Sequence, residues 1–144
     1  MNTIQFLGKS RFLDQKTRNN LRSLLHRVAK NKGWKISQLT YVVVDDEHLF
    51  SINVEHLQHD TYTDIITFDL SDGQSKGVDG EIYISIDRVK ENAIIHHQSV
   101  EMELVRVVSH GLLHLLGFKD KSPNQAKEMR QEEEACLSLW SSLN

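Results

Sequence analysis

One apolar helix dominates what this chain can become. From Val100 to Leu116 the sequence is rich in Val and Leu, and such a segment must pack against something else to be stable in water. Two histidines interrupt it, His110 and His114, four residues apart. On a helix that spacing puts both rings on one face, with Cβ atoms about 5–6 Å apart. Two imidazoles so placed can meet on one cation, with zinc–nitrogen distances of about 2.0–2.1 Å. Gly117 is placed to adopt the left-handed conformation that ends the helix and turns the chain back. The turn returns Asp120 toward the same point, and a carboxylate oxygen is an acceptable zinc ligand.

His110, His114, Gly117 and Asp120 keep the spacing of the extended metzincin signature, His-Glu-x-x-His-x-x-Gly-x-x-His. Gly111 stands where the proteases carry the glutamate that acts as general base, so ordinary proteolysis is not expected. Three protein ligands leave a fourth position open, as in catalytic rather than structural zinc sites. Two histidines bonded to backbone groups inside a core would show the same pair spacing. The glycine turn and the returning aspartate weigh toward a metal, as does the cost of burying unpartnered imidazoles beside Leu112, Leu113, Leu115 and Leu116.

The rest of the chain reads as alternating short elements without repeats or linkers. Thr3–Leu7 reads as a strand. Asp14 caps a helix running to Lys32, with Leu21, Leu24, Leu25 and Val28 on one face and Gly33 as its stop. Leu39–Val44 is a strand by its β-branched and aromatic content. Asp45 or Asp46 caps a short helix carrying Leu49, Phe50 and Leu57. Asp64–Leu70 is another strand, Ser71–Gly80 a loop with three glycines, and Glu81–Ile86 a half-buried strand with Ile82, Ile84 and Ile86 inward and Glu81, Tyr83 and Ser85 outward. Asp87 starts a short helix. Ser122, Pro123 and Gln125 open the last helix as cap, first helical residue and capping-box partner. That helix sets Met129, Cys136, Leu139 or Trp140, and Leu143 on one side. About four strands and about five helices, not in strict alternation, predict an α+β fold: a single domain over residues 1–144, with a mixed sheet packed by helices.

The 144 residues suffice for a substantial core, and 39% hydrophobic with 26% charged residues suits a soluble globular chain. No apolar run approaches the ~20 residues of a membrane span, no secretory-type segment is visible, and a lone cysteine, Cys136, has no disulfide partner. A cytoplasmic location is expected. A net charge of −3 excludes a grip on nucleic acid by bulk charge, so any such function needs a local patch. Lys119 and Lys121, followed by Lys127 and Arg130, offer a phosphate-binding patch beside Asp120, although a solvated helix face is the commoner explanation of such a run. In the segment from His56 to Phe68, polar residues run directly into an apolar strand. It reads either as a strand-entry loop or as a cleft wall facing the metal, with Thr63 available to substrate. His59 and Asp64 are candidate proton-transfer groups by position. His96 and His97 read as solvated loop residues, and Cys136 as inert core.

The run His110-Gly111-Leu112-Leu113-His114-Leu115-Leu116-Gly117-Phe118 resembles the His-Gly-x-Leu-His-Leu-x-Gly-Tyr motif of the YbeY family of bacterial rRNA maturation factors. Asp60, Thr63, Asp64 and the following Ile65-Ile66-Thr67-Phe68 are similar to that family's Asp-x-x-Thr-Asp-Val-Leu-Ser-Phe motif, and Gly80-Glu81-Ile82 to its Gly-Asp-Ile strand. The resemblance implies a zincin-like fold and a single-strand-specific, metal-dependent endoribonuclease. It implies work on the 3′ end of 16S rRNA and in ribosome quality control, with the small subunit as partner. It also implies a zinc site at His110, His114 and Asp120. Two positions depart from the pattern. Asp120 stands where the family usually has histidine, with Lys119 replacing the aspartate before it. Leu57 stands where an arginine is common, for which His59 or Lys121 are the substitutes in reach. The competing functions are a non-catalytic assembly factor with a metal-fixed surface, a hydrolase of peptides or small molecules, and a purely structural metal site.

Overall fold

The computed structural model describes residues 3–8, 10–57, 63–73 and 76–143. Its elements follow in the order β1 (Ile4–Leu7), α1 (Gln15–Asn31), β2 (Lys35–Val44), α2 (Asp46–Leu57), β3 (Ile65–Asp69), β4 (Gly77–Ser85), α3 (Ile86–Ile95), α4 (Val100–Leu115) and α5 (Pro123–Leu143). The four strands form one sheet in the order β1-β2-β4-β3. β1 and β2, and β2 and β4, pair in parallel, while β3 runs antiparallel to β4. The expected α+β architecture with a mixed four-stranded sheet and five helices is observed among the described residues.

Local capping chemistry places the helices. Asp14 accepts from the Thr17 amide at 2.8 Å to start α1, and Asp45 rather than Asp46 does the same for α2 through His48. Ser122 and Gln125 bond reciprocally at 3.2 Å each way before α5, a capping box.

Two sequence expectations give way to long-range packing. The segment 71–80 is not all loop: Gly77–Gly80 already belongs to β4, paired with Lys35–Leu39 of a β2 that starts four residues earlier than its apolar run suggests. Gly80 is a strand residue because there is no room for a side chain. A Cβ there would lie 2.8 Å from Leu115 Cδ1 and 2.9 Å from the Phe68 carbonyl oxygen. Gly80→Ala is therefore expected to destabilise the fold by about 1–3 kcal/mol, read as a lower urea midpoint at unchanged slope. Ser85, expected to face outward, is buried and caps α3. Its hydroxyl accepts from the Arg88 amide and donates to Asp46 Oδ1, each at 3.2 Å, so the helix begins at Ile86 rather than at Asp87.

The core lies between the sheet and the layer of α1, α4 and α5, with Tyr41, Ile82, Ile84, Leu104, Leu112 and Trp140 fully or almost fully buried. Tyr41 ties the layers together by donating to the Val108 carbonyl of α4 at 2.7 Å. α2 covers the opposite face, where Phe68, Glu81 and Tyr83 help to line a cavity of about 410 Å³. No helix among the described residues is long and apolar enough to cross a membrane.

Candidate metal centre

Three ligand atoms converge at the C-terminal end of α4. The helix is capped by Ser99 and carries Glu101 and Glu103 in its first turn, where they suit the positive end of the helix dipole. Gly111 faces the sheet. A Cβ on it would lie 2.9 Å from Ile82 Cδ1 and 3.0 Å from Ile65 Cδ1, so the helix rests directly on two isoleucines. At its end the Phe118 amide bonds to the Leu113 carbonyl and the Gly117 amide to the His114 carbonyl, both at 3.0 Å. With Gly117 at φ 104°, this is the Schellman arrangement. Lys32 fastens the turn from the α1 side, its Nζ 5.3 Å above the Phe118 ring and 2.7 Å from Glu132.

The turn brings Asp120 Oδ2 to 3.5 Å from His110 Nε2 and 3.4 Å from His114 Nε2, and the two Nε2 atoms stand 3.0 Å apart. A tetrahedral zinc with bonds of about 2.0–2.1 Å separates neighbouring ligand atoms by about 3.3 Å, so the triangle has the right size. The far sides of both rings are occupied. His114 Nδ1 lies 3.0 Å from the Phe118 carbonyl, which can only accept, so Nδ1 carries the hydrogen. His110 Nδ1 lies 2.5 Å from Glu133 Oε2, a buried carboxylate that likewise accepts. In the neutral rings both Nε2 lone pairs then face each other and a carboxylate oxygen. Three acceptors without a hydrogen between them repel, and a cation at their centre resolves the repulsion. The donor set therefore fits a divalent metal, and no other His, Cys, Asp and Glu group of this kind occurs among the described residues.

Behind His110 runs a buried ionic chain. Arg106 Nη1 donates to Glu133 Oε1 at 3.2 Å, and its Nε reaches both oxygens of Glu103 at 3.1 and 3.0 Å. Glu103 is fully buried and Glu133 nearly so. Burial would raise the pKa of Glu133, but the hydrogen bond to His110 and the charge of Arg106 outweigh it and hold the carboxyl below its ordinary 4.5. Burial disfavours the Arg106 cation, yet Glu103 and then Glu133 push its pKa upward.

The other expected residues are distributed unevenly. Asp64 Oδ2 stands 3.8 Å from Arg106 Nη2, so it joins the ionic chain rather than the ligand triangle. The Thr63 hydroxyl donates to the Ile65 carbonyl at 3.2 Å at the start of β3. His59 lies outside the described residues. Lys119 and Lys121 are exposed on either side of Asp120, and Lys119 helps to line a depression of about 370 Å³ with Phe118 and Gln125. His96 is not simply solvated: it ends α3, and its Nδ1 lies 3.5 Å from Glu103.

Glu133 and Arg106 were not singled out by sequence reasoning. A signal existed for Glu133, which lies four residues after Met129 and three before Cys136 on the apolar stripe of α5, an acid where a hydrophobe belongs. Cys136 is the inert core residue expected: burial pushes its thiol up to about 11. In the native protein at pH 8 its alkylation should be at least roughly 100-fold slower than in urea, since only the thiolate reacts.

Comparison with known proteins agrees in sequence and in fold. The family model described as endoribonuclease YbeY matches residues 4–141. The chain is 45% identical over 137 residues to the endoribonuclease YbeY of Cytophaga hutchinsonii, covering 95% of each. It is 38% identical over 137 residues to that of Christiangramia forsetii, covering 95% of this chain and 94% of the relative. The solution structure of TM1509 from Thermotoga maritima matches with a TM-score of 0.66 at 29% identity, covering 96% of this chain and 92% of that one.

Proposed function

Because the chain belongs to the endoribonuclease YbeY family and is thus a nuclease, we propose that it cleaves single-stranded RNA with one divalent metal held by His110, His114 and Asp120. The observation that carries this is the ligand triangle, in which both histidine Nδ1 atoms are engaged elsewhere and both Nε2 atoms converge with a carboxylate. Two nitrogen ligands favour zinc, while two histidines and one carboxylate also suit other divalent metals, iron included. The substrate in this reading is the 3′ end of the 16S rRNA precursor, with the small ribosomal subunit as partner and ribosome quality control as the setting. The protein acts as one domain over residues 1–144 in the cytoplasm.

When bound, the metal supplies a Lewis acid for a phosphoryl oxygen or for the attacking water. The chain supplies the rest. His110 and His114 are held in the ligand tautomer by Glu133 and by the Phe118 carbonyl. Lys119 and Lys121 offer cations to the RNA backbone beside the site, and Thr63 a hydroxyl at the start of β3. Asp64 and His59 are the groups proposed for proton transfer, and Asp64 connects through Arg106 to the site. Asp120 in place of histidine adds one negative charge, which lowers the Lewis acidity of the ion relative to a three-histidine site.

The test is cleavage of an end-labelled single-stranded RNA matching the 16S precursor terminus, with its duplex form as control. Protein as purified, chelator-treated protein and protein with zinc restored are compared. Cleavage of the single strand alone, lost on chelation and recovered with zinc, is expected. Equal cleavage by the chelated protein would overturn the metal mechanism. Absence of cleavage with any divalent metal would favour an assembly factor that binds RNA without cutting it.

A further inference from the structure

We propose that Glu133 is a positioning residue: seated by Arg106, its carboxylate holds the His110 ring in the single tautomer that leaves Nε2 free, and thereby sets the metal affinity of the site. The affinity half of this inference rests on the metal reading above. The tautomer half concerns the metal-free protein.

The two histidines are held by different means. The acceptor for His114 Nδ1 is the Phe118 carbonyl, fixed by the Schellman turn. No side-chain exchange removes it. The acceptor for His110 Nδ1 is a side chain from another helix, Glu133 Oε2, 23 residues later in the chain. That carboxylate is 5% exposed, and its second oxygen is taken by Arg106 Nη1. Arg106 in turn is clamped by Glu103, which is 0% exposed. The carboxylate therefore has one position and one orientation, with one oxygen for the guanidinium and one for the imidazole. Without it, the His110 proton is free to move to Nε2, the nitrogen preferred by an unconstrained imidazole, and there it blocks the ligand lone pair. An anionic acceptor also raises the basicity of the imidazole as a ligand, and loss of such a partner typically costs 10–100-fold in metal affinity.

The experiment uses the ¹⁵N-labelled full-length protein, metal-free, under mildly alkaline conditions. Long-range ¹H–¹⁵N spectra report which nitrogen of each ring carries hydrogen, and a His110→Gln spectrum assigns the His110 signals. In Glu133→Ala the His110 pattern should pass from Nδ1–H to Nε2–H while the His114 pattern stays. The zinc Kd, read by competition with a chromophoric chelator, should rise about 10–100-fold. Glu133→Gln leaves one accepting oxygen for two donors, Arg106 and His110, and should fall between wild type and Glu133→Ala in both tautomer and affinity. If Glu133→Ala does not fold, Glu133→Met offers the length without the acceptor. An unchanged His110 tautomer in a folded variant, or an unchanged Kd, would overturn the proposal. If the wild type itself binds no zinc, the metal reading and the affinity half fail together, and the tautomer data still decide whether Glu133 positions the ring.

Discussion

His114→Ala is expected to reduce cleavage of single-stranded RNA to below about 1% of wild type while leaving the protein folded. The substitution removes one of three ligand atoms, leaving His110 Nε2 and Asp120 Oδ2 3.5 Å apart as the only protein donors of the triangle. Loss of a mere supporting partner costs 10–100-fold in affinity, and loss of a ligand costs more. The structural cost is small. The only described bonds that vanish are those of the ring, chiefly the one to the Phe118 carbonyl, worth about 1 kcal/mol. Alanine is also the better helix former. Initial rates at fixed zinc, with circular dichroism as the fold check, decide the matter. Rates within a factor of a few of wild type in a folded, zinc-deficient variant would remove the ligand triangle from the mechanism.

Arg106→Leu should lower stability strongly, costing about 3–5 kcal/mol at neutral pH. The guanidinium is the shared counter-ion of Glu103 and Glu133, and deleting it leaves carboxylates inside the protein without a cation. The pH dependence follows from the direction of the Glu133 shift. Its folded-state pKa is depressed below 4.5, so its contribution is present above that value and lost as the pH falls through the folded pKa. The wild type therefore loses stability on acidification below 4.5. The variant keeps the lowering due to His110 and loses only the share due to Arg106, so it should lose somewhat less over the same interval and the gap between the two curves narrows. Urea unfolding at neutral and acid pH measures it. A loss under about 1 kcal/mol at neutral pH would mean that water replaces the guanidinium, and that the chain is not a closed buried network.

What the residues disclosed in advance was what depends on near neighbours. The histidine pair, the Gly117 turn and the return of Asp120 are all consequences of helix periodicity and capping within a dozen residues, and the structure brings these three side chains together. Asp14, Ser122 and Gln125 were legible for the same reason. The misreadings have distant causes. Gly80 reads as a loop residue because nothing near it reveals that Leu115, 35 positions later, fills the space above it. Ser85 alternates correctly with its neighbours, yet Asp46 and the start of α3 draw it inside. Glu133 and Arg106 are visible as charges in apolar surroundings, but a periodic pattern names no partner. That one meets the His110 ring and the other seats that carboxylate emerges only when α5 folds back along α4.

The bare contact between α4 and the sheet also governs the order in which changes to this site are accessible. A glutamate at position 111, one of the two exchanges that separate this chain from the protease signature, must begin from a Cβ 2.9 Å from Ile82 Cδ1 and 3.0 Å from Ile65 Cδ1. Both isoleucines must shrink or shift before the new base can be accommodated without lifting the helix that carries His110 and His114. The route to peptide hydrolysis thus starts at the floor of the site, with substitutions that bring no catalytic benefit themselves. For a directed-evolution library, positions 65 and 82 should be opened in the same round as 111, so that the floor can make room for the new side chain.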